Sequence, residues 1–261
     1  MILDHICAIF ITKNKSSIII KILLVFCNSL VNKRMQVEKK KLKVLCLHGH
    51  QTNSTIMQLQ TKEWRNIFKN ELQFEYINGK HKLTADEVID VRVKKLLESG
   101  QDAYTWLKFL TSDYYESVIQ DLSYIAEHIN QNGPYDGVIG FSQGGTVFHT
   151  FLQLVFENKF QINSLPKFVI YICSPLQGPA FSIPQLNLPS IHFVSQQDID
   201  LYDRQLITSI YYKNPIVINH SYGHRVPRLS PNEVETIKTF IMQAVQAKQT
   251  NPNKTQQTPK L

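Results

Sequence analysis

A single hydroxyl stands between glycines in the stretch Gly140-Phe141-Ser142-Gln143-Gly144, with the apolar run Val138–Phe141 before it and a second from Val147 after it. If a strand turns directly into a helix at Ser142, side chains two positions before and after would collide. Glycines at 140 and 144 are then the steric condition for lifting a hydroxyl clear of a sheet edge. The helix that follows aims its unpaired N–H groups at negative charge developing beside that hydroxyl. The chemistry such a turn supports is nucleophilic attack on an acyl carbon. A phosphate-cradling loop is excluded, because no Lys follows the glycines. The competing reading is a Gly-rich turn whose serine only caps the helix.

A serine hydroxyl is a weak nucleophile until a base takes its proton, and that base needs an acid to orient it. The histidines beyond Ser142 are His149, His192, His220 and His224. His149 falls inside the helix expected after the serine and His192 inside an apolar strand, which favours packing roles for both. His220 ends the last expected strand. His224 lies in the loop that follows, with Gly223 giving it room, and is the preferred base, with His220 the alternative. For the acid, Asp198, Asp200 and Asp203 follow the apolar run Ile191–Val194. Asp198 comes first after the strand and is preferred, Asp200 is the alternative, and Asp203 belongs to the next helix.

Two backbone N–H groups are expected to receive the oxyanion. One belongs to Gln143, directly after the nucleophile, and the other to His50, in the turn Leu47-His48-Gly49-His50. His48 and His50 could instead ligate a metal, but the pair lacks a carboxylate companion, so neither a metal nor an organic cofactor is expected. Tyr104, Trp106, Phe109 and Phe181 are candidates for an apolar acyl pocket, although aromatics at such spacing also build cores.

These residues need a frame that brings distant segments to one edge. The continuous apolar run at 43–49 reads as a strand buried on both faces, 167–174 and 189–195 as further apolar strands, and 72–79, 136–142 and 215–220 as strands too. Helical periodicity fills the intervals at 54–70, 116–131, 144–158 and 201–212. Ser230 and Pro231 mark the start of a last helix. Strands alternating with helices imply an α/β fold with a mostly parallel sheet and helices on both faces. Residues 78–115 are the least regular section, and no separate cap domain is evident.

Forty-three per cent hydrophobic and 19% charged residues describe an ordinary globular chain, long enough for a sizeable core. The formal charge of +7 is terminal: nine of the 28 basic but two of the 21 acidic residues fall in 1–43, leaving 19 of each sign elsewhere. A nucleic-acid partner is not favoured on that distribution. Four scattered cysteines without a CxxC pair speak against a disulfide framework and for a reducing compartment, the cytoplasm by default. Residues 1–40 read as an extension. The apolar stretch 16–31 is interrupted by Lys21, which leaves an anchor or targeting segment, and membrane contact through it, as alternatives to a start at Met35. The domain proper is expected over 41–247, and 248–261 is a polar tail expected to be disordered.

Taken together, "KVLCLHGHQTN", "GPYDGVIGFSQGG", the "AYTW" segment and "YGHRVP" resemble the FSH-type serine hydrolases, an α/β-hydrolase family with carboxylesterase-like members. The likeness runs from about Lys41 to about Ala247. It implies an α/β-hydrolase fold with Ser142, Asp198 and His224 as nucleophile, acid and base. It further implies cleavage of a small-molecule ester or thioester through an acyl-enzyme. The rival from another class is a catalytically silent hydrolase fold serving as a binding or scaffold module, since fold alone does not establish activity.

Overall fold

A computed structural model describes residues 40–88, 91–108, 114–176 and 185–247; the N-terminal extension, the C-terminal tail, Phe109 and Phe181 lie outside the described residues. Strand β1 (Leu42–Leu47) becomes wholly buried from Val44 onward, as a run of residues apolar on both faces requires. The stretch expected as one helix at 54–70 forms two, α1 (Ser54–Gln60) and α2 (Lys62–Ile67). Asn53 caps α1, its Oδ1 accepting the Ile56 N–H at 2.8 Å. The break falls at Thr61 (φ −96°, ψ 11°), whose buried hydroxyl donates to the Met57 carbonyl at 2.7 Å and also meets the Tyr76 hydroxyl. Competition of this kind between a threonine hydroxyl and the helical ladder is invisible to periodicity.

Strand β2 (Leu72–Ile77) follows. The irregular section proves to hold a two-residue antiparallel pair, β3 (His81–Lys82) with β4 (Tyr104–Thr105), and between them a 3₁₀ turn at Ala85–Glu87 and helix α3 (Val91–Glu98). Then come α4 (Tyr114–Asn132), β5 (Gly137–Phe141), α5 (Gln143–Phe156), β6 (Phe168–Ile172) and β7 (Ser190–Ser195). The last elements are α6 (Tyr202–Ile210), β8 (Ile216–His220) and α7 (Pro231–Gln246). Ser230 and Glu233 close a reciprocal capping box at the start of α7, with Pro231 at its first position.

The main sheet has the order β2-β1-β5-β6-β7-β8, and every neighbouring pair is parallel. Alternate residues of one strand feed opposite cores. Leu45, Leu47, Val138 and Val169 pack with Leu122 and Ile125 of α4 and Phe148 and Phe151 of α5. Val44, Cys46, Ile139 and Ile170 pack with Met57, Trp64 and Phe68 on one side and with Ile237, Phe240 and Ile241 of α7. Each such side chain contributes about 1.5–3 kcal/mol on burial, so both faces of the sheet are strongly held. Because the strands are parallel, all their carboxyl ends open on one edge. The segments after β1, β5, β6, β7 and β8 meet there, which is where ligands bind in open α/β sheets.

Candidate active site

Ser142 sits between β5 and α5 with φ 51° and ψ −122°, backbone angles that cost a non-glycine residue of order 1–3 kcal/mol. Surrounding bonds hold it there: its N–H donates to the Ile172 carbonyl at 2.9 Å, and its own carbonyl accepts from Gly145 and Thr146. The neighbouring glycines are sterically required. A Cβ on Gly140 would lie 2.4 Å from Gly145 Cα, and one on Gly144 would lie 2.3 Å from the Leu47 carbonyl oxygen. Gly145 is equally constrained, since a Cβ would fall 1.9 Å from Ser174 Oγ.

His224, in the loop after β8, brings its Nε2 to 2.8 Å from Ser142 Oγ. Its Nδ1 lies 2.6 Å from Asp198 Oδ2, just past β7. An ionised Asp198 accepts the Nδ1–H, which leaves Nε2 free to accept the serine proton; this tautomer follows from the partners. The Phe141 ring packs at a tilt against the imidazole, 5.3 Å between centroids. Gln205, which the sequence did not single out, donates from Nε2 to Asp198 Oδ2 at 2.6 Å. Its Oε1 in turn accepts the Ser195 N–H at 3.0 Å, so α6 and β7 hold the carboxylate together. The helix carrying it, Tyr-Asp-Arg-Gln-Leu-Ile-Thr-Ser-Ile, buries Gln205 together with Thr208 and Ser209 while Ile207 and Ile210 stay exposed, so no apolar stripe in the sequence pointed to the glutamine.

The alternative residues fall elsewhere. Asp200 is exposed in the turn and Asp203 in the first turn of α6. His220 ends β8 buried, its Nδ1 accepting the Tyr222 N–H at 3.3 Å and its Nε2 3.4 Å from Cys173 Sγ. His149 and His192 are enclosed with Tyr171 and Tyr212 in an aromatic cluster, where burial holds both near a pKa of about 3.

The backbone N–H groups of Gln143 and His50 have no hydrogen-bond partner among the described residues, and Gly49, just before His50, is tight, a Cβ there reaching 3.0 Å from Phe141 and 3.4 Å from Ser142 Cβ. The Gln143 side chain is clamped: Oε1 accepts from Thr105 Oγ1 at 3.0 Å and from the Trp106 N–H at 3.3 Å. His50 Nδ1 meets the same threonine hydroxyl at 3.1 Å, and burial lowers the pKa of His50. His48 is fully engaged rather than free for a metal. Its Nε2 accepts the Gly79 N–H at 2.8 Å, its Nδ1–H reaches the Gly49 carbonyl at 2.7 Å, and burial holds its pKa at about 4. Trp106 is buried, not on an open wall: its indole N–H donates to the His48 carbonyl at 2.8 Å, so it braces the His48–His50 turn. Tyr104 lines a polar cleft with Asn53, Asn78, Gln101 and Asp102 rather than an apolar one. Phe109 and Phe181 are outside the described residues.

A parallel sheet flanked by helices on both faces, with a strained serine at a strand-to-helix turn, defines an α/β-hydrolase. Comparison with solved structures agrees: a carboxylesterase from Mesorhizobium loti superposes with a TM-score of 0.54 at 11% identity, covering 78% of this chain and 90% of that one. Arabidopsis thaliana SOBER1 superposes at 0.51 and 14%, covering 79% and 100%. In sequence, Caenorhabditis elegans esterase C25G4.2 is 25% identical over 215 residues, 80% of this chain and 96% of that protein. Esterase FPY3 of Fusarium mangiferae is 23% identical over 223 residues, 78% and 97%. The description of the FSH1 serine hydrolases matches residues 35–236, and the chain belongs to that family of hydrolases.

Proposed function

We propose that the protein cleaves small-molecule carboxylic esters with Ser142 as nucleophile, His224 as general base and Asp198 as the acid that orients it. The observation that carries this reading is the imidazole bridging the two groups, 2.8 Å to Ser142 Oγ and 2.6 Å to Asp198 Oδ2. His224 Nε2 takes the serine proton as Oγ attacks the carbonyl carbon, and Asp198 stabilises the imidazolium so formed. The Gln143 and His50 N–H groups receive the developing oxyanion, with Gln143 held by Thr105 and Trp106. His224 then returns the proton to the departing alcohol, leaving an acyl group on Ser142. Water attacks that acyl-enzyme with His224 again as base, releasing the acid and restoring the hydroxyl. Thioesters follow the same course with a thiol as leaving group.

The unit Lys41–Leu261 holds every residue named in this reading, and residues 1–40 are read as an extension to it. No helix among the described residues is long and apolar enough to cross a membrane. Cys46 and Cys173 are free, which fits a reducing compartment such as the cytoplasm.

Purified protein should label with a fluorophosphonate probe and turn over p-nitrophenyl acetate and butyrate, and Ser142→Ala should lose both. Labelling that survives the substitution would place the nucleophile elsewhere. Folded wild-type protein that neither labels nor turns over ester would leave the scaffold reading in its place.

A further inference from the structure

Against the loop that carries His224 lies a thiol that the reaction does not use. Cys173 follows β6 with φ 47°, in the left-handed region, and its side chain is buried against the loop carrying His224. Cys173 Sγ lies 3.7 Å from the Gly223 carbonyl oxygen and 3.6 Å from that of Arg225, the two neighbours of His224 in the chain. Ligand atoms of Cys173, Asp198 and His224 all fall within 4.8 Å of one another. We propose that Cys173 Sγ, Asp198 and His224 Nδ1 form an inhibitory site for a borderline-soft divalent cation, with Zn²⁺ as the type, and that its occupation switches off the hydrolase. This inference rests on the triad reading above.

The donor set is the argument for the ion. A thiolate, an imidazole and a carboxylate with an open fourth position suit Zn²⁺ and exclude Mg²⁺ and Ca²⁺, which want all-oxygen shells. Bond lengths of about 2.0–2.3 Å put tetrahedral ligands about 3.3–3.6 Å apart. The Asp198–His224 pair stands closer than this at 2.6 Å and must open by about 0.7 Å, while the sulfur, within 4.8 Å of both, must draw in. His220 supports the thiolate without being a ligand. The Tyr222 N–H occupies His220 Nδ1, which leaves the ring proton on Nε2, 3.4 Å from Cys173 Sγ and directed at it. A donor aimed at a ligating sulfur is the kind of surrounding hydrogen bond that tunes metal affinity.

Inhibition follows from proton accounting. Without metal, the thiol carries one proton and His224 Nδ1 another, while Nε2 presents its lone pair to Ser142. Metal on Nδ1 requires that nitrogen's lone pair, so the imidazole proton moves to Nε2 and the thiol proton passes to solvent. One proton is released per ion bound. His224 then shows Ser142 an N–H, and no base remains to take the serine proton.

The test uses the full chain with ZnCl₂, MgCl₂ and CoCl₂. Zn²⁺ should abolish both ester turnover and fluorophosphonate labelling, chelation should restore them, and Mg²⁺ should do neither. Co²⁺ should give the near-ultraviolet absorption of a thiolate bound to Co(II), in wild type and in Ser142→Ala alike. Cys173→Ser, and Cys173→Gly, which suits the positive φ, should lose that absorption. Measured against each variant's own metal-free rate, half-inhibition should need about 100-fold more Zn²⁺ or beyond, past what losing a mere supporting bond costs. Absorption that persists in both variants, Zn²⁺ inhibition at an unchanged concentration, or wild type that gives no thiolate absorption with Co²⁺ would overturn the site. Ester turnover surviving in Ser142→Ala would sink the triad reading alone, because the Co²⁺ spectrum does not involve the serine.

Discussion

Acid should weaken this fold through three buried histidines. His48, His149 and His192 are buried, and burial holds their pKa values at about 4, 3 and 3 against an ordinary 6.5. All are neutral in the folded state at neutral pH. The unfolded chain takes up a proton at each as pH falls below 6.5, whereas the folded chain resists until about 4 or lower. Stability is therefore fully present above pH 6.5 and is lost progressively between there and the folded values. Each histidine contributes about 1.36 kcal/mol per pH unit in that window. At about pH 5 the loss is about 2 kcal/mol per histidine and about 6 kcal/mol for the three, comparable with the about 5–15 kcal/mol that holds a typical domain together. At that pH the sum is governed by the unfolded histidines, since a folded value of 3 or 4 leaves the ring nearly unprotonated either way. Urea midpoints at about pH 7.5 and pH 5 would measure it, with His149→Gln removing about a third of the difference. A midpoint that does not move between those pH values would refute the reasoning. So would a His149→Gln variant with the full pH dependence of wild type.

Other perturbations test the placement of the reacting groups. Gln205→Leu removes a hydrogen bond to an ionised carboxylate, worth about 1.5–3 kcal/mol, so kcat should fall about 10- to 150-fold with KM little changed and with fluorophosphonate labelling slowed in step. A Cβ at Gly144 would press on the Leu47 and His48 carbonyls, at 2.3 and 2.6 Å, and push the His48–His50 turn away from the serine. Gly144→Ala should cost about 100-fold in kcat/KM, as a displacement of about 1 Å at a reacting centre does, in protein that still shows a cooperative melt. Removal of residues 1–40 should leave kcat/KM for p-nitrophenyl butyrate unchanged, and a loss would show that the extension takes part in the site.

Strands buried on both faces announced themselves as apolar runs, and the glycines at 140 and 144 announced the turn, because both effects are local. The position of His224 beside Ser142 follows from a related cause: a parallel sheet sends its loops to one edge, so order in the chain limits which histidine arrives. Gln205 was not legible. Its value comes from α6 packing back on β7, and nothing within a few residues of it says where its amide will point. Cys173 read as a hydrophobe inside a strand, yet β6 ends one residue earlier and the thiol meets a loop some fifty residues on. Trp106 drew attention as an aromatic beside a candidate pocket, and its indole N–H is instead spent on the carbonyl of His48.

The positive-φ residues Ser142 and Cys173 stand at the ends of adjacent strands, and their turns are tied to each other. The Ser142 N–H donates to the Ile172 carbonyl, and the Ser174 hydroxyl reaches back to the Gly140 carbonyl at 3.2 Å. Neither turn can relax without breaking a bond to the other, and the closeness of Gly145 to Ser174 leaves no slack between them. Strain on this scale persists only where surrounding structure over-determines it, and here each strained turn is part of the other's surroundings. The same turn that supports the Ser142 backbone sets the Cys173 thiol against the carbonyls of Gly223 and Arg225, on either side of His224 in the chain. The geometry that holds the Ser142 backbone therefore also fixes how Cys173 meets the loop that carries His224.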